Sequence, residues 1–285
     1  MNKDIKINAT DVPSHGFTHG GSFHADDVFS TALLKLLNPD FSWQRGNEVP
    51  EDFVGIVYDI GGGAYDHHQV DARVRENGVP YAAFGLLWEK YGHMFLEKKS
   101  AEAFDEEFVQ EIDLTDNTGK RNPLSTVIRN MNPEWNETEE VDRAFADAVE
   151  YAMTTLCAML RHFQAIDEAK NLVLRKIPEA RNRVLELDRY MPWHEALRET
   201  EIDYVIYPSN RGGFNVQVVP HSSGDPIVDD TTGFPQEWRG RRGEDLEKMT
   251  GIEGFNFCHR AGFLCAVDTL DGAWEIADLM NSNRE

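Results

Sequence analysis

Cations are scarce in this chain: 28 Lys and Arg stand against 50 Asp and Glu, a formal net charge of −22 over 285 residues. A broad duplex-binding surface needs Lys and Arg to displace phosphate counterions, so duplex DNA is not an expected partner. Cysteine is nearly absent too. Cys157, Cys258 and Cys265 are odd in number and lack CxxC spacing, which supports neither a disulfide framework nor a cysteine zinc site and fits a reducing compartment. No run approaches the ~18 uninterrupted apolar residues of a membrane span. The polar start Met-Asn-Lys-Asp-Ile-Lys-Ile does not read as a signal peptide, so a cytoplasmic protein with no membrane partner is expected. Nucleotide-binding glycine motifs are missing as well. Gly61-Gly62-Gly63 has neither GxGxxG nor GxxxxGK[ST] spacing and reads instead as a place of close backbone approach.

What is present is a set of histidines and aspartates in three patches: His19-x4-His24-Ala25-Asp26, Val57-Tyr58-Asp59 and Asp66-His67-His68. Singly, each would be an ordinary surface, capping or core residue. Together they read as a two-metal site, because imidazole and carboxylate suit manganese, iron or zinc, and a divalent pair activates water for attack on phosphorus. His19, His24, Asp26, Asp59, His67, His68 and Asp116 supply enough donors only if some are shared. Asp59 is the natural bridge. Asp66 is expected to order its loop or orient a histidine, and Asp27 to be a first-turn charge on another face. Asp113 competes with Asp116, which is preferred because Asn117-Thr118-Gly119 places it at a helix end.

With 41% apolar and 27% charged residues the chain should fold, and its length favours two domains. Residues 17–19 read as a strand entering a Gly-Gly loop, 25–37 as a helix, and 55–60 as a buried parallel strand carrying Asp59 at its carboxyl end. Such strand ends are where open α/β sheets place ligands. Helical spacing covers 81–97 and 101–114, while 122–137 reads as a loop. A helical stripe over 138–178 is the expected connector. Strands are predicted at 204–207, 214–219, 255–259 and 263–267, a Gly/Pro/Asp-rich stretch at 220–235, and a helix at 269–280. The expected organisation is α/β: residues 1–137 with a mainly parallel sheet and the metals, 138–180 a long connecting helix, and 181–285 a smaller α/β substrate-binding domain. Trp238-Arg239-Gly240-Arg241-Arg242 is the one dense basic cluster, able to meet a phosphate or stack on a base, or else to be a solvated turn. His259, beside Arg260 and Gly262, is placed to reach a substrate phosphate across a cleft.

The order His-x4-His-x-Asp, strand-end Asp, Asp-His-His and helix-end Asp resembles the DHH phosphoesterase superfamily, and more narrowly the melanocyte-proliferating gene (Myg) family. The narrower resemblance rests on Thr18-His19-Gly20-Gly21-Ser22-Phe23-His24-Ala25-Asp26, Tyr65-Asp66-His67-His68-Gln69, Asp113-Leu114-Thr115-Asp116-Asn117, Phe234-Pro235-Gln236-Glu237-Trp238-Arg239-Gly240 and His259-Arg260-Ala261-Gly262-Phe263. It implies a DHH-type N-terminal dimetal domain in which His19, His24 and Asp59 bind one metal, and Asp26, Asp59, His67 and Asp116 the other. His68 would face the substrate phosphate. His259 would contribute from the second domain, with Arg239, Arg260 and Gly262 beside it. Family members are labelled metal-dependent protein hydrolases, whereas the superfamily acts on phosphoester and phosphoanhydride bonds and eukaryotic relatives are associated with 3′-to-5′ RNA exonuclease activity.

The expected function is therefore a phosphodiesterase or 3′-to-5′ exonuclease of short single-stranded RNA or nucleotides. It would hold two divalent ions, manganese first among them, and act through a metal-bridging hydroxide with Asp59 and His68 in the catalytic group. An inorganic pyrophosphatase would want a richer Arg and Lys cluster near His259 to grip a tetra-anion. A non-catalytic metal- or nucleotide-binding regulatory module needs only the ligands. Homo-oligomerisation is compatible with all three. The charge balance yields a first prediction: at ~0.15 M salt, fluorescence anisotropy should give weaker binding to a long duplex than to a single strand of equal length. Tight duplex binding would contradict the charge argument.

Overall fold

Phe17 is buried between Gly16 and Thr18, and His15–His19 extends as strand β1. β1 is the central strand of a parallel sheet, flanked by β2 (Ser42–Gly46) and β3 (Ile56–Val57) in the order β2-β1-β3. Parallel neighbours require crossover connections, and helix α1 (Ala25–Leu37) lies in the first of them. The structure, a computed structural model, describes residues 5, 7, 12–137, 140–220 and 233–282.

The chain divides into two units, Met1–Ala165 and Ile166–Glu285. In the first, α2 (Ala83–Tyr91) ends in a 3-10 turn, and α3 (Lys98–Phe104) runs through a π-helical turn at Asp105–Val109 into α4 (Gln110–Thr118). Gly119 closes α4 at φ 70°, the left-handed stop that glycine adopts without strain. The segment 122–137 is not wholly a loop. Asn122 accepts hydrogen bonds from the Leu124 and Ser125 amides and Pro123 occupies the first turn, so α5 (Pro123–Arg129) forms there. The Asn-Pro pair that suggests a turn is equally a cap followed by a first-turn proline.

Helix α6 (Val141–Lys176) is 36 residues long. Its stripe of Phe145, Val149, Ala152, Leu156, Leu160 and Phe163 belongs to the core of the first unit, and Ala169 and Val173 to a core of the second. The second unit is built on a mixed sheet of β4 (Val184–Glu186), β5 (Tyr204–Pro208), β6 (Phe214–Val218), β7 (Phe255–Cys258) and β8 (Leu264–Val267), ordered β4-β5-β6-β8-β7 with only the β4–β5 pair parallel. Both faces of β5 are covered: Tyr204 and Ile206 enter one cluster, Val205 and Tyr207 another, the two-residue alternation of a strand. Helices α7 (His194–Leu197), α8 (Glu244–Thr250) and α9 (Leu270–Ser282) complete this unit. The expected Gly/Pro/Asp-rich stretch falls mostly on 221–232, outside the described residues. Among those described, no helix is long and apolar enough to cross a membrane.

Helices α2 and α4 are joined by a largely buried charge cluster. Arg75 donates to both oxygens of Asp105 at 2.7 and 2.9 Å, and its Nη1 lies 2.8 Å from Asp113 Oδ2. The Gly85 amide donates to Asp113 Oδ1 at 3.1 Å. A Cβ on Gly85 would run into Asp113 Oδ2 and Arg75. Gly85→Ala should therefore lower the melting temperature by several degrees: improved helix propensity is worth ~1 kcal/mol, whereas overpacking costs about 1–3 kcal/mol before the ion pair is disturbed. Differential scanning calorimetry is the check, and a melting point at or above the native value would show that the contact relaxes freely.

Candidate metal centre

The ligand-type side chains converge beyond the carboxyl ends of β1 and β3. His19, the last residue of β1, has Nδ1 2.9 Å from the Gly20 carbonyl. In the neutral ring this places the proton on Nδ1 and leaves the Nε2 lone pair facing Asp27 Oδ2 at 3.2 Å and Asp59 Oδ2 at 3.3 Å. Asp59 follows β3 with φ 57°, a left-handed conformation costing about 1–3 kcal/mol for a non-glycine residue. Its amide donates to the Tyr65 carbonyl at 2.9 Å. The two Asp59 oxygens are divided: Oδ2 meets His19, while Oδ1 lies 3.1 Å from His67 Nε2.

His67 is oriented from behind by Asn117, whose Oδ1 lies 3.2 Å from Nδ1, so Nε2 also faces Asp116 Oδ2 at 3.3 Å and Asp26 Oδ2 at 3.8 Å. Asp26 is held by the first turn of α2, accepting from the Ala83 and Phe84 amides at 3.0 and 2.8 Å. Three overlapping groups of donors result, each with its ligand atoms within 4.8 Å of one another: His19, Asp27 and Asp59; Asp26, His67 and Asp116; Asp59, His67 and His68.

The electrostatics are those of carboxylates crowded out of water. Burial raises the pKa of Asp26 well above the usual range, reinforced by the charges of Asp59 and Asp116. Burial likewise raises Asp116, with Asp59 adding to it. Asp27 is pushed up to about 7 by burial, against the favourable charges of His19 and Arg45. Burial also acts on Asp59, but hydrogen bonds from His19 and His67 outweigh it and bring the group down to about 2. For His19 burial is overcome by Asp59 and Asp27, and the pKa rises to about 9. Asp27 Oδ2 has no hydrogen-bond donor although it is buried. A bound cation compensates such an oxygen, and the nitrogen and oxygen donors fit manganese, iron or zinc.

The structure brings His19, Asp26, Asp59, His67 and Asp116 together. His24, with its side chain 55% exposed, joins none of the three donor groups and lies 3.6 Å from Asp116. Asp27 does not point to a different face. At the third position of α1 its carboxylate turns back, Oδ1 accepting from the His24 amide at 2.8 Å and Oδ2 meeting His19. Asp113 belongs to Arg75 and not to the centre. Asp66 accepts from the amides of Gly62, His67 and His68 and holds His68 Nδ1 at 2.7 Å. This leaves Nε2 of the 62% exposed His68 side chain available. In the second unit, Gly262 at φ 73° packs directly on the Arg239 guanidinium, whose Nε donates to the Phe234 carbonyl at 2.8 Å. His259 Nδ1 accepts from the Ala261 amide at 3.1 Å, and Arg260 is exposed. Trp238 is buried against Phe234 and Phe255, so its ring is not a stacking platform for a base.

Three supporting residues escaped the sequence reading. Asn132 exchanges hydrogen bonds of 2.9 Å with both the amide and the carbonyl of Phe23, clamping the loop between His19 and His24. Arg45 holds the same loop through the Gly21 carbonyl at 2.9 Å and stacks 4.2 Å from the Phe145 ring. Asn117 orients His67. Only Asn117 had a visible signal, its position next to a candidate ligand at a helix end.

The family model MYG1_exonuc, described as an uncharacterised protein family (UPF0160), matches residues 17–280. The chain belongs to this family. Among its relatives, a MYG1 protein of Saccharomyces cerevisiae is 28% identical over 336 residues, covering 97% of this chain and 98% of its own length. A protein of Homo sapiens named MYG1 exonuclease is 28% identical, covering 91% of this chain and 84% of its own length. A MYG1 protein of Chlamydia pneumoniae is 27% identical with 89% and 91% covered. No solved structure matches. Within this MYG1-family chain the divided Asp59 carboxylate joins two of the donor groups, and Asp59→Asn, which tolerates the left-handed backbone, should lower the divalent metal content measured by mass spectrometry while the fold is kept. Native metal content in the folded variant would remove Asp59 from the ligand set.

The protonation pattern carries a further expectation. At pH 7 the metal-free centre keeps His19 protonated and Asp27 about half so. Metal ligation requires both groups deprotonated, so loading should release protons and apparent affinity should rise with pH up to about 9. Calorimetry in two buffers of different ionisation enthalpy measures this, and a buffer-independent heat would contradict it.

Proposed function

We propose that this chain is a metal-dependent phosphoesterase, a phosphodiesterase or 3′-to-5′ exonuclease acting on short single-stranded RNA or nucleotides. The observation that carries the reading is the Asp59 carboxylate, one oxygen on His19 and the other on His67, a donor arrangement suited to two adjacent cations. His19, Asp27 and Asp59 would hold one ion, with His24 close by, and Asp26, Asp59, His67 and Asp116 the other. Divalent ions there, manganese by preference, supply Lewis acidity toward a phosphoryl oxygen and make water a better nucleophile near neutral pH. The exonuclease name of the human relative agrees with this chemistry.

The chain's own groups bind and orient. A cavity of about 400 Å³ lies over the centre, lined by His19, Asp59, Gly61, Asp66 and His68. Asp66 fixes His68 through Nδ1, so Nε2 is the atom that faces a phosphate oxygen, donating to it when the ring carries both protons and steadying charge as it develops. From the second unit His259 is the proposed phosphate contact: with Nδ1 accepting from Ala261, its neutral ring carries the proton on Nε2. Arg239, Arg260 and Gly262 are proposed to support that contact. A cytoplasmic location is part of the proposal, in keeping with the free thiols of Cys157, Cys258 and Cys265.

The test is a manganese-loaded panel of model diesters, monoesters, pyrophosphate and end-labelled short RNA. Diester cleavage and shortening of RNA from its 3′ end are expected, whereas hydrolysis of pyrophosphate alone, or of nothing, overturns the reading. Within that panel His68→Ala should lower kcat by about 10²–10³-fold, the cost of removing one donor to a developing oxyanion. His259→Ala should raise KM or lower kcat with metal content unchanged. Loss of metal from either variant would reassign that histidine as a ligand.

A further inference from the structure

We propose that a cavity beside the metal centre, wholly within the first unit, is a subsite for a second phosphate group of the substrate, the one next along the chain from the phosphate being cleaved. The proposal rests on the phosphodiesterase reading and names a binding site for it. The cavity has a volume of about 350 Å³. Arg121, Ser125, Thr126 and Arg129 line it, and so do His24, His68 and Asp116. His24 and His68 also line the cavity over Asp59. The two cavities therefore share a wall, and a ligand seated at the centre has this space beside it.

The chemistry of the lining selects an anion. In a chain of net charge −22 several guanidinium groups are already committed: Arg45 to Asp142, Arg73 to Glu89, Arg75 to Asp105 and Asp113, Arg183 to Asp203. Arg121 and Arg129 make no ion pair among the described residues, and both are exposed. Two uncommitted guanidinium forks repel a metal ion and suit the oxygens of a phosphate.

Ser125 supplies the second, independent sign. It is 6% exposed and lines the cavity, yet its Oγ has no hydrogen-bond partner. A buried hydroxyl is ordinarily paired, and this one, sealed from solvent, reaches an acceptor in the cavity by a turn of the Ser125 side chain about its Cα–Cβ bond. Asn122 fixes the start of α5 by capping the Leu124 and Ser125 amides. Ser125 and Arg129, four residues apart, consequently share one face of that helix. The ligand class is a nucleotide chain with a phosphate beyond the scissile one, while a small diester with a single phosphate leaves the subsite idle.

The experiment uses calorimetry on the full-length manganese-loaded protein. The probes are diribonucleotides joined by a non-hydrolysable, uncharged methylphosphonate, carrying a 5′-terminal phosphate, a 3′-terminal phosphate or neither. One phosphorylated probe should bind the native protein about tenfold more tightly than the unphosphorylated one, the size of one charge-assisted hydrogen bond. In Arg121→Ala/Arg129→Ala, and separately in Arg129→Glu, that ratio should fall to near unity. Equal binding of all three probes by the native protein overturns the subsite, as does a preference that survives in both variants. The readout is binding, so failure is distinguishable from failure of the phosphoesterase reading: a protein that prefers the phosphorylated probe through Arg121 and Arg129 but cleaves nothing in the substrate panel retains the anion site and loses the assigned reaction.

Discussion

Negative charge drawn away from solvent is the constraint around which the first unit is arranged. Asp26, Asp27 and Asp59 are almost fully buried and Asp116 is partly buried, all within reach of His19 or His67. Uncompensated, such a group would be strongly destabilising. Each carboxylate is instead tethered by a fixed donor: Asp26 by the first amides of α2, Asp27 by the His24 amide, Asp59 and Asp116 by imidazoles. These tethers fix the positions of the oxygens in groups that could hold a metal ion.

Asp113 shows the alternative, three residues before Asp116 on α4. It too is buried, and its pKa is raised to about 7 by burial, but Arg75 stands against it as a permanent counter-charge. A resident guanidinium makes a structural cluster that needs nothing further. At the centre, Arg45 stays 3.8 Å from Asp27 and spends its hydrogen bonds on Gly21 and Asp142. It organises the ligand loop and, acting on Asp27 alone from that distance, supplies only a small part of the charge that the four aspartates lack. The same residue type thus serves a lock in one place and a scaffold in the other.

The scaffold explains the precision of the site. β1 is flanked on both sides, so His19 emerges from the most constrained strand of the sheet, and the loop after it is clamped by Asn132 and Arg45. Strain at Asp59 is absorbed by the Asp59-to-Tyr65 hydrogen bond and by the Gly62 amide donated to Asp66. Side chains held this firmly suit a centre whose ligands must converge before any cation arrives.

Most of the elements were legible because their signals are local. Periodicity marked α1 and α6, and the apolar run ending at Asp59 marked β3. The short, polar strand Ser42–Gly46 and the helix behind Asn122-Pro123 were hidden, the first because its register comes from pairing with β1 and the second because a cap and a turn share one signature. Residue chemistry alone suggested the ligand types, and their clustering along the chain suggested His19, His24, Asp26, Asp59, His67, His68 and Asp116. Only tertiary structure could turn Asp27 inward and His24 toward solvent, separate Asp113 from Asp116, bury Trp238, and set Asn132 against Phe23 across 109 residues. A side chain's direction depends on the packing around it, and that packing is assembled from segments whose proximity no spacing along the chain encodes.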